Sequence, residues 1–119
     1  MKNFLFTLLF SLSLLSRVQS YAQESVDNLF NRSWNKTTSY ATLTFIFKSD
    51  STCTFINPAN NFSVTAKIKL EDNIITFPAE GCPVEGKYKF AIVENKLTFQ
   101  TEEDACSERK DAVEGIWSA

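Results

Sequence analysis

From residue 34 onward, apolar and polar positions alternate with a period of two, which is the pattern of strands with one dry and one wet face. The longest run covers residues 62–70, where Phe62, Val64, Ala66, Ile68 and Leu70 alternate with Ser63, Thr65, Lys67 and Lys69. Asp72 and Asn73 follow. Both side chains tolerate positive φ, so a two-residue hairpin turn is expected there. That turn sets Leu70 opposite Ile75 and Ile68 opposite Phe77, all on the dry face. A second hairpin is expected about Glu94 and Asn95, pairing Ile92 with Leu97 and Phe90 with Phe99. Around Ser49, Asp50 and Ser51 a third opposes Phe47 to Cys53 and Phe45 to Phe55. Short strands over residues 34–38 and 113–118 complete the set. No segment keeps an apolar stripe at helical spacing, and residues 24–30 have room for one helical turn or two. The pattern predicts an all-β fold, an antiparallel up-and-down meander of about eight short strands. Periodicity leaves a closed barrel and a two-sheet sandwich as alternatives.

The first residues read differently. Lys2 supplies a positive start, and residues 4–15 are apolar apart from Thr7, Ser11 and Ser13. Ser20 and Ala22 are small residues at the −3 and −1 positions of a cleavage site before Gln23. A membrane-crossing helix needs roughly 20 apolar residues, more than this run supplies. Residues 1–22 are therefore expected to be a cleaved signal peptide, leaving residues 23–119 as a single exported domain, periplasmic or extracellular.

Export changes the reading of the three cysteines, Cys53, Cys82 and Cys106. In an oxidising compartment two of them are expected to be bridged. Extending the second hairpin to its open end brings Cys82 opposite residue 107, so Cys82–Cys106 is the expected disulfide. Cys53 then points into the dry face among phenylalanines and behaves as a small apolar residue.

The chain has 12 basic and 14 acidic residues and a net charge of −2. Removal of Lys2 and Arg17 with the signal peptide makes the mature chain more acidic still. Without a basic field, a nucleic-acid partner is not expected. The chain has no histidine, which removes Ser-His-Asp and Cys-His mechanisms and the commonest zinc-ligand sets. No Gly-rich phosphate loop is present. The acids Glu102, Glu103, Asp104, Glu108 and Asp111 cluster in what reads as loop, without the spaced pattern of a calcium site. No catalytic residues, metal site or cofactor are expected, and the reading is non-enzymatic. Lys67, Lys69, Lys87 and Lys89 fall on outward positions, where they keep strand faces soluble and discourage edge pairing. Asn31, Asn35 and Asn61 each begin a glycosylation acceptor pattern.

The spacing Cys82-x-x-x-Gly86-x-Tyr88, the triplet Leu97-Thr98-Phe99, the set Asp104-x-Cys106-x-x-Arg109 and the late Trp117 together resemble small exported lipocalin-like domains. Those share a calycin-type antiparallel barrel. The resemblance covers mainly residues 82–117, with Trp34, Phe45 and Phe55 adding to it. The Gly-x that precedes the first-strand Trp of lipocalins is replaced here by Arg32 and Ser33. The resemblance implies that Arg109 stacks on Trp34 to close the barrel base, and that the interior binds a small apolar molecule. Candidate ligand contacts are Phe45, Phe47, Phe55, Phe62, Phe77, Tyr88, Phe90 and Phe99. So many large rings on short strands also suit a filled interior. In that case the alternative is a protein-interaction module, inhibitor-like or envelope-associated. It would meet another exported protein through its loops or through residues 23–32.

Overall fold

Each alternating segment pairs with its neighbour in sequence and the first strand pairs with the last, so the sheet rolls up on itself. A computed structural model describes residues 25–119; the expected signal peptide lies outside the described residues. The strands are β1 (Ser33–Thr37), β2 (Thr42–Phe47), β3 (Thr52–Asn57), β4 (Phe62–Lys67), β5 (Lys69–Glu71), β6 (Ile74–Phe77), β7 (Gly86–Val93), β8 (Lys96–Glu103) and β9 (Gly115–Ser118). All pairs are antiparallel, in the order β4-β3-β2-β1-β9-β8-β7-β6-β5. This is a nearly closed barrel and not a two-sheet sandwich.

The hairpin registers match the alternation. Leu70 faces Ile75, Ile92 faces Leu97 and Phe90 faces Phe99. Phe47 faces Cys53 and Phe45 faces Phe55. The turns use the expected residues, with positive φ at Asp72 (53°), Glu94 (49°) and Asn95 (63°).

One expected strand is two. Residues 62–70 bend at Ile68, whose N–H still donates to Ser51 O at 2.9 Å, one residue beyond the last β3–β4 pair. β4 pairs with β3 and β5 pairs with β6, so the bend marks a change of partner. Strands must tilt to close a small barrel, and one straight strand cannot follow two diverging neighbours. The β5–β6 ladder ends at Lys69 and Thr76; Phe77 pairs with Gly86, and the expected Ile68–Phe77 pair is not made. Beyond Phe77 the chain meets Pro78, which has no N–H to extend β6. β4 thus keeps one free edge, and the barrel wall opens beside it.

A helix that the alternation does not reveal, α1 (Ser107–Val113), stands between β8 and β9. Its apolar residues are only Ala112 and Val113 at the C-terminal end, too few to form a stripe. Lys36 ties that end to β1 by donating to Asp111 O (3.3 Å) and Glu114 O (2.9 Å), and its ammonium lies over the Trp117 ring at 5.2 Å. The final strand is correspondingly shorter than expected. At the other end of the barrel, a 3-10 turn (Val26–Leu29) tucks Leu29 into the core, and Asn31 N–H donates to Phe47 O at 2.8 Å. That end is plugged.

Around the plug the interior is filled by Trp34, Phe47, Tyr88, Phe90, Leu97, Phe99 and Trp117, all buried. Each indole N–H finds a carbonyl, Trp34 at Leu29 O (3.0 Å) and Trp117 at Val113 O (2.9 Å), as buried donors require.

Candidate functional site

The opposite end is open. A cleft of about 390 Å³ lies between the inner faces of β2, β3 and β4, the segment after Phe77, and α1. Its floor is Phe45, which touches Phe55 and Phe77 at ring-centroid separations of 5.1 and 5.7 Å and Trp117 at 4.7 Å. Its walls include Leu43, Cys53, Val64, Ala66, Ala112 and Val113, with Asn57, Asn60, Glu80, Glu108 and Arg109 among the polar lining residues. The cleft exists because β6 stops at Pro78. Where another strand pair would have closed the wall, the inward residues of β4 stay uncovered: Val64 and Ala66 are half-buried and Phe62 is 48% exposed.

The eight aromatic residues expected at a ligand therefore divide. Phe45, Phe55, Phe62 and Phe77 line the cleft. Phe47, Tyr88, Phe90 and Phe99 are packed into the filled half and do not line it. Alternation places all of them on the inner face, but depth along the barrel decides which are reachable.

The wall beyond β6 is held by a polar cluster. The Cys82–Cys106 bridge read from strand register is present, with Cα atoms 6.0 Å apart, and joins the segment after Phe77 to the start of α1. Arg109 reinforces it. Its Nε and one terminal nitrogen donate to the two Asp104 carboxylate oxygens at 2.8 and 2.9 Å, and its terminal nitrogens also donate to Pro78 O (2.9 Å) and Val84 O (2.7 Å). Asp104 also accepts from the Tyr88 hydroxyl and, at 2.9 Å, from Cys106 N–H. Burial alone would raise the Asp104 pKa, but the Arg109, Tyr88 and Cys106 hydrogen bonds overcome it and hold the carboxyl down at about 2. Burial, then the bond to Asp104, pushes the Tyr88 phenol well above its ordinary range. Gly86 is what lets the cluster close: a Cβ there would sit 2.5 Å from Asp104 Oδ2 and 2.9 Å from Arg109 Nε.

This geometry corrects the expected barrel-closing stack. Arg109 is committed to Asp104 and the carbonyls of Pro78 and Val84. The guanidinium over the Trp34 ring is that of Arg32, 5.3 Å from its centroid, with Arg32 also donating to Asn95 Oδ1 at 3.3 Å. Arg32 reaches that ring from the bend just before β1, which begins at Ser33.

Cys53 is a free thiol, 4% exposed, on the cleft wall. Burial pushes its pKa up to about 12, so at neutral pH it is a neutral apolar surface. Among the described residues no group of three or more His, Cys, Asp or Glu side chains converges as a metal site, and no helix is long and apolar enough to cross a membrane. Lys67, Lys69, Lys87 and Lys89 are exposed, and Lys69 lies 3.8 Å from Glu85.

Sequence reasoning missed Glu80 and Glu108 as cleft residues. The signal was present in the two prolines, Pro78 and Pro83, bracketing a stretch that cannot form a ladder.

The fold and cleft define a class: a small, nearly closed antiparallel barrel with one filled end and one apolar opening. No protein-family model matches the chain, and neither a curated protein nor a solved structure does.

Proposed function

We propose that this chain is an exported, non-catalytic, lipocalin-like domain that binds a small apolar molecule in the cleft at the open end of its barrel. One observation carries the reading: an opening of about 390 Å³ lined by Phe45, Phe55, Phe62 and Phe77, a volume within the range of small-molecule sites. The signal-like residues 1–22 and the disulfide support an exported setting. Cleavage before Gln23 would leave the mature domain free of its leader.

The test is fluorescence titration with N-phenyl-1-naphthylamine, a neutral apolar probe whose emission rises in dry surroundings. Saturable binding is expected, and Ala66→Phe, which fills the wall of the cleft, should abolish it. Retention of the wild-type far-ultraviolet circular dichroism spectrum would confirm that the variant is folded. No binding, or binding unaffected in folded Ala66→Phe, overturns the assignment.

A second reading, a protein-interaction module, draws support from the free edge of β4, whose unpaired backbone groups suit addition of a partner strand. Native mass spectrometry of protein purified from its own host separates the two, because a bound small molecule and a bound polypeptide differ in mass by orders of magnitude.

A further inference from the structure

Resting on the cleft reading, we propose that its ligand is an organic cation, an apolar body carrying an ammonium group, with that group held at the mouth by Glu80 and Glu108.

The charged side chains lining the cleft are Glu80, Glu108 and Arg109. Arg109 does not set the sign of the site. Its charge is matched by Asp104, and its donors are turned toward that carboxylate and the carbonyls of Pro78 and Val84. The ion pairs among the described residues are Arg109–Asp104 and Lys69–Glu85, so Glu80 and Glu108 carry uncompensated negative charge. Both are exposed, one on the segment after Phe77 and the other on the first turn of α1, so both overlook the opening from the same wall. Cys53 adds no charge at neutral pH.

Across the cleft stands a second, independent feature. Phe62 is 48% exposed and packs edge-on to Phe55, with ring centroids 6.3 Å apart and planes at 60°. Phe62 therefore leaves much of its ring uncovered at the cleft, and an aromatic π system attracts cations and not anions. The low-dielectric apolar walls concentrate the field of the two carboxylates into the cleft. An anionic amphiphile would meet like charge, and a neutral one would leave both features unused.

Three nearly isosteric probes distinguish these cases: 4-phenylbutylamine, 4-phenylbutanol and 4-phenylbutyrate, each displacing N-phenyl-1-naphthylamine from the full mature chain at low salt. The amine should bind about fivefold or more tighter than the alcohol, as one or two solvent-exposed electrostatic contacts allow, and the butyrate weakest. In the Glu80→Gln, Glu108→Gln double variant the amine's advantage should shrink to the small part that Phe62 supplies, about twofold or less, and 0.5 M salt should narrow the gap in the wild type. Equal binding of amine and alcohol to the wild type overturns the cation assignment while leaving the apolar cleft standing. So does an advantage for the amine that survives undiminished in the double variant. Failure of all three probes and of the naphthylamine overturns the cleft reading itself, and this inference with it.

Discussion

Asp104 is the residue on which most of the polar structure converges. It joins β8, β7 through Tyr88, and α1 through Arg109 and the Cys106 N–H, and its side chain is fully buried. Asp104→Asn removes the charge while keeping the shape. Hydrogen bonds to charged groups are worth roughly 1.5–3 kcal/mol, so a loss of that order is expected in urea melts at pH 7. The pH dependence follows from the depressed pKa. In the unfolded chain the carboxyl protonates near its ordinary value of about 4, whereas in the folded protein it holds out to about 2. Its contribution is therefore complete above about pH 4 and is lost as pH falls toward 2. Melts of the wild type should decline across that window, and Asp104→Asn should lack that part of the decline; parallel curves would show that Asp104 is not the titrating group. Gly86→Ala tests the same cluster sterically. The new Cβ would meet the carboxylate and guanidinium at under 3 Å, and a cost of about 1–3 kcal/mol is expected, as for overpacking elsewhere.

Among the elements, the disulfide and α1 act together. The bridge links positions 24 apart in sequence, and closing a loop of that size stabilises by roughly 3 kcal/mol on the chain-entropy model. Cys82→Ser and Cys106→Ser should each lower stability by about that amount, and the double variant by no more than either single one. Thiol titration of the denatured, unreduced wild type should find one free cysteine, at position 53; three free thiols, or a single free thiol at 82 or 106, would contradict the pairing. How these elements could be read from the sequence depends on how local their determinants are. The three hairpins were legible because each rests on a turn of two or three residues and on alternation that both flanking strands share. The bend at Ile68 was not, because alternation runs unbroken through it: Ile68 is buried as expected, and only the change of hydrogen-bonding partner reveals the corner. α1 escaped because its apolar anchors are only Ala112 and Val113 at one end, the rest being held by the Cys106 bridge, Arg109 and Lys36. The cleft was half legible. Phe45, Phe55, Phe62 and Phe77 were marked as inward, but a phenylalanine on an inner face reads the same whether the space before it is filled or empty. The Arg109 expectation failed because it came from a family pattern, whereas Arg109's partners here, Asp104 and the carbonyls of Pro78 and Val84, are set by a loop that no periodicity describes.

At the scale of the whole molecule the barrel is two meanders, β1–β4 and β5–β9, continuous at the Ile68 bend and joined elsewhere where β9 lies between β1 and β8. That second seam is short. Asn35 faces Ser118, and near it Arg32 and the Ala119 N–H both bond to Asn95, at 3.3 and 3.2 Å. β9 nevertheless carries Trp117, fully buried against Phe45. Time gives this arrangement its consequence. A ribosome delivers β1 first and β9 last, so for nearly the whole of synthesis the nascent chain holds two sheet edges with nothing between them. Nothing local can repair this, because the strand that covers both edges is made only after β1–β8. Unpaired edges flanking an apolar interior are templates for association between chains. A chain lacking residues 114–119 should accordingly form large aggregates on refolding instead of a weakened monomer, as read by light scattering against the full-length protein; a soluble, monomeric truncation would show that the two meanders can close without β9. If the chain is exported as proposed above, the same dependence is an advantage: the barrel cannot close on the near side of the membrane before β9 has been made.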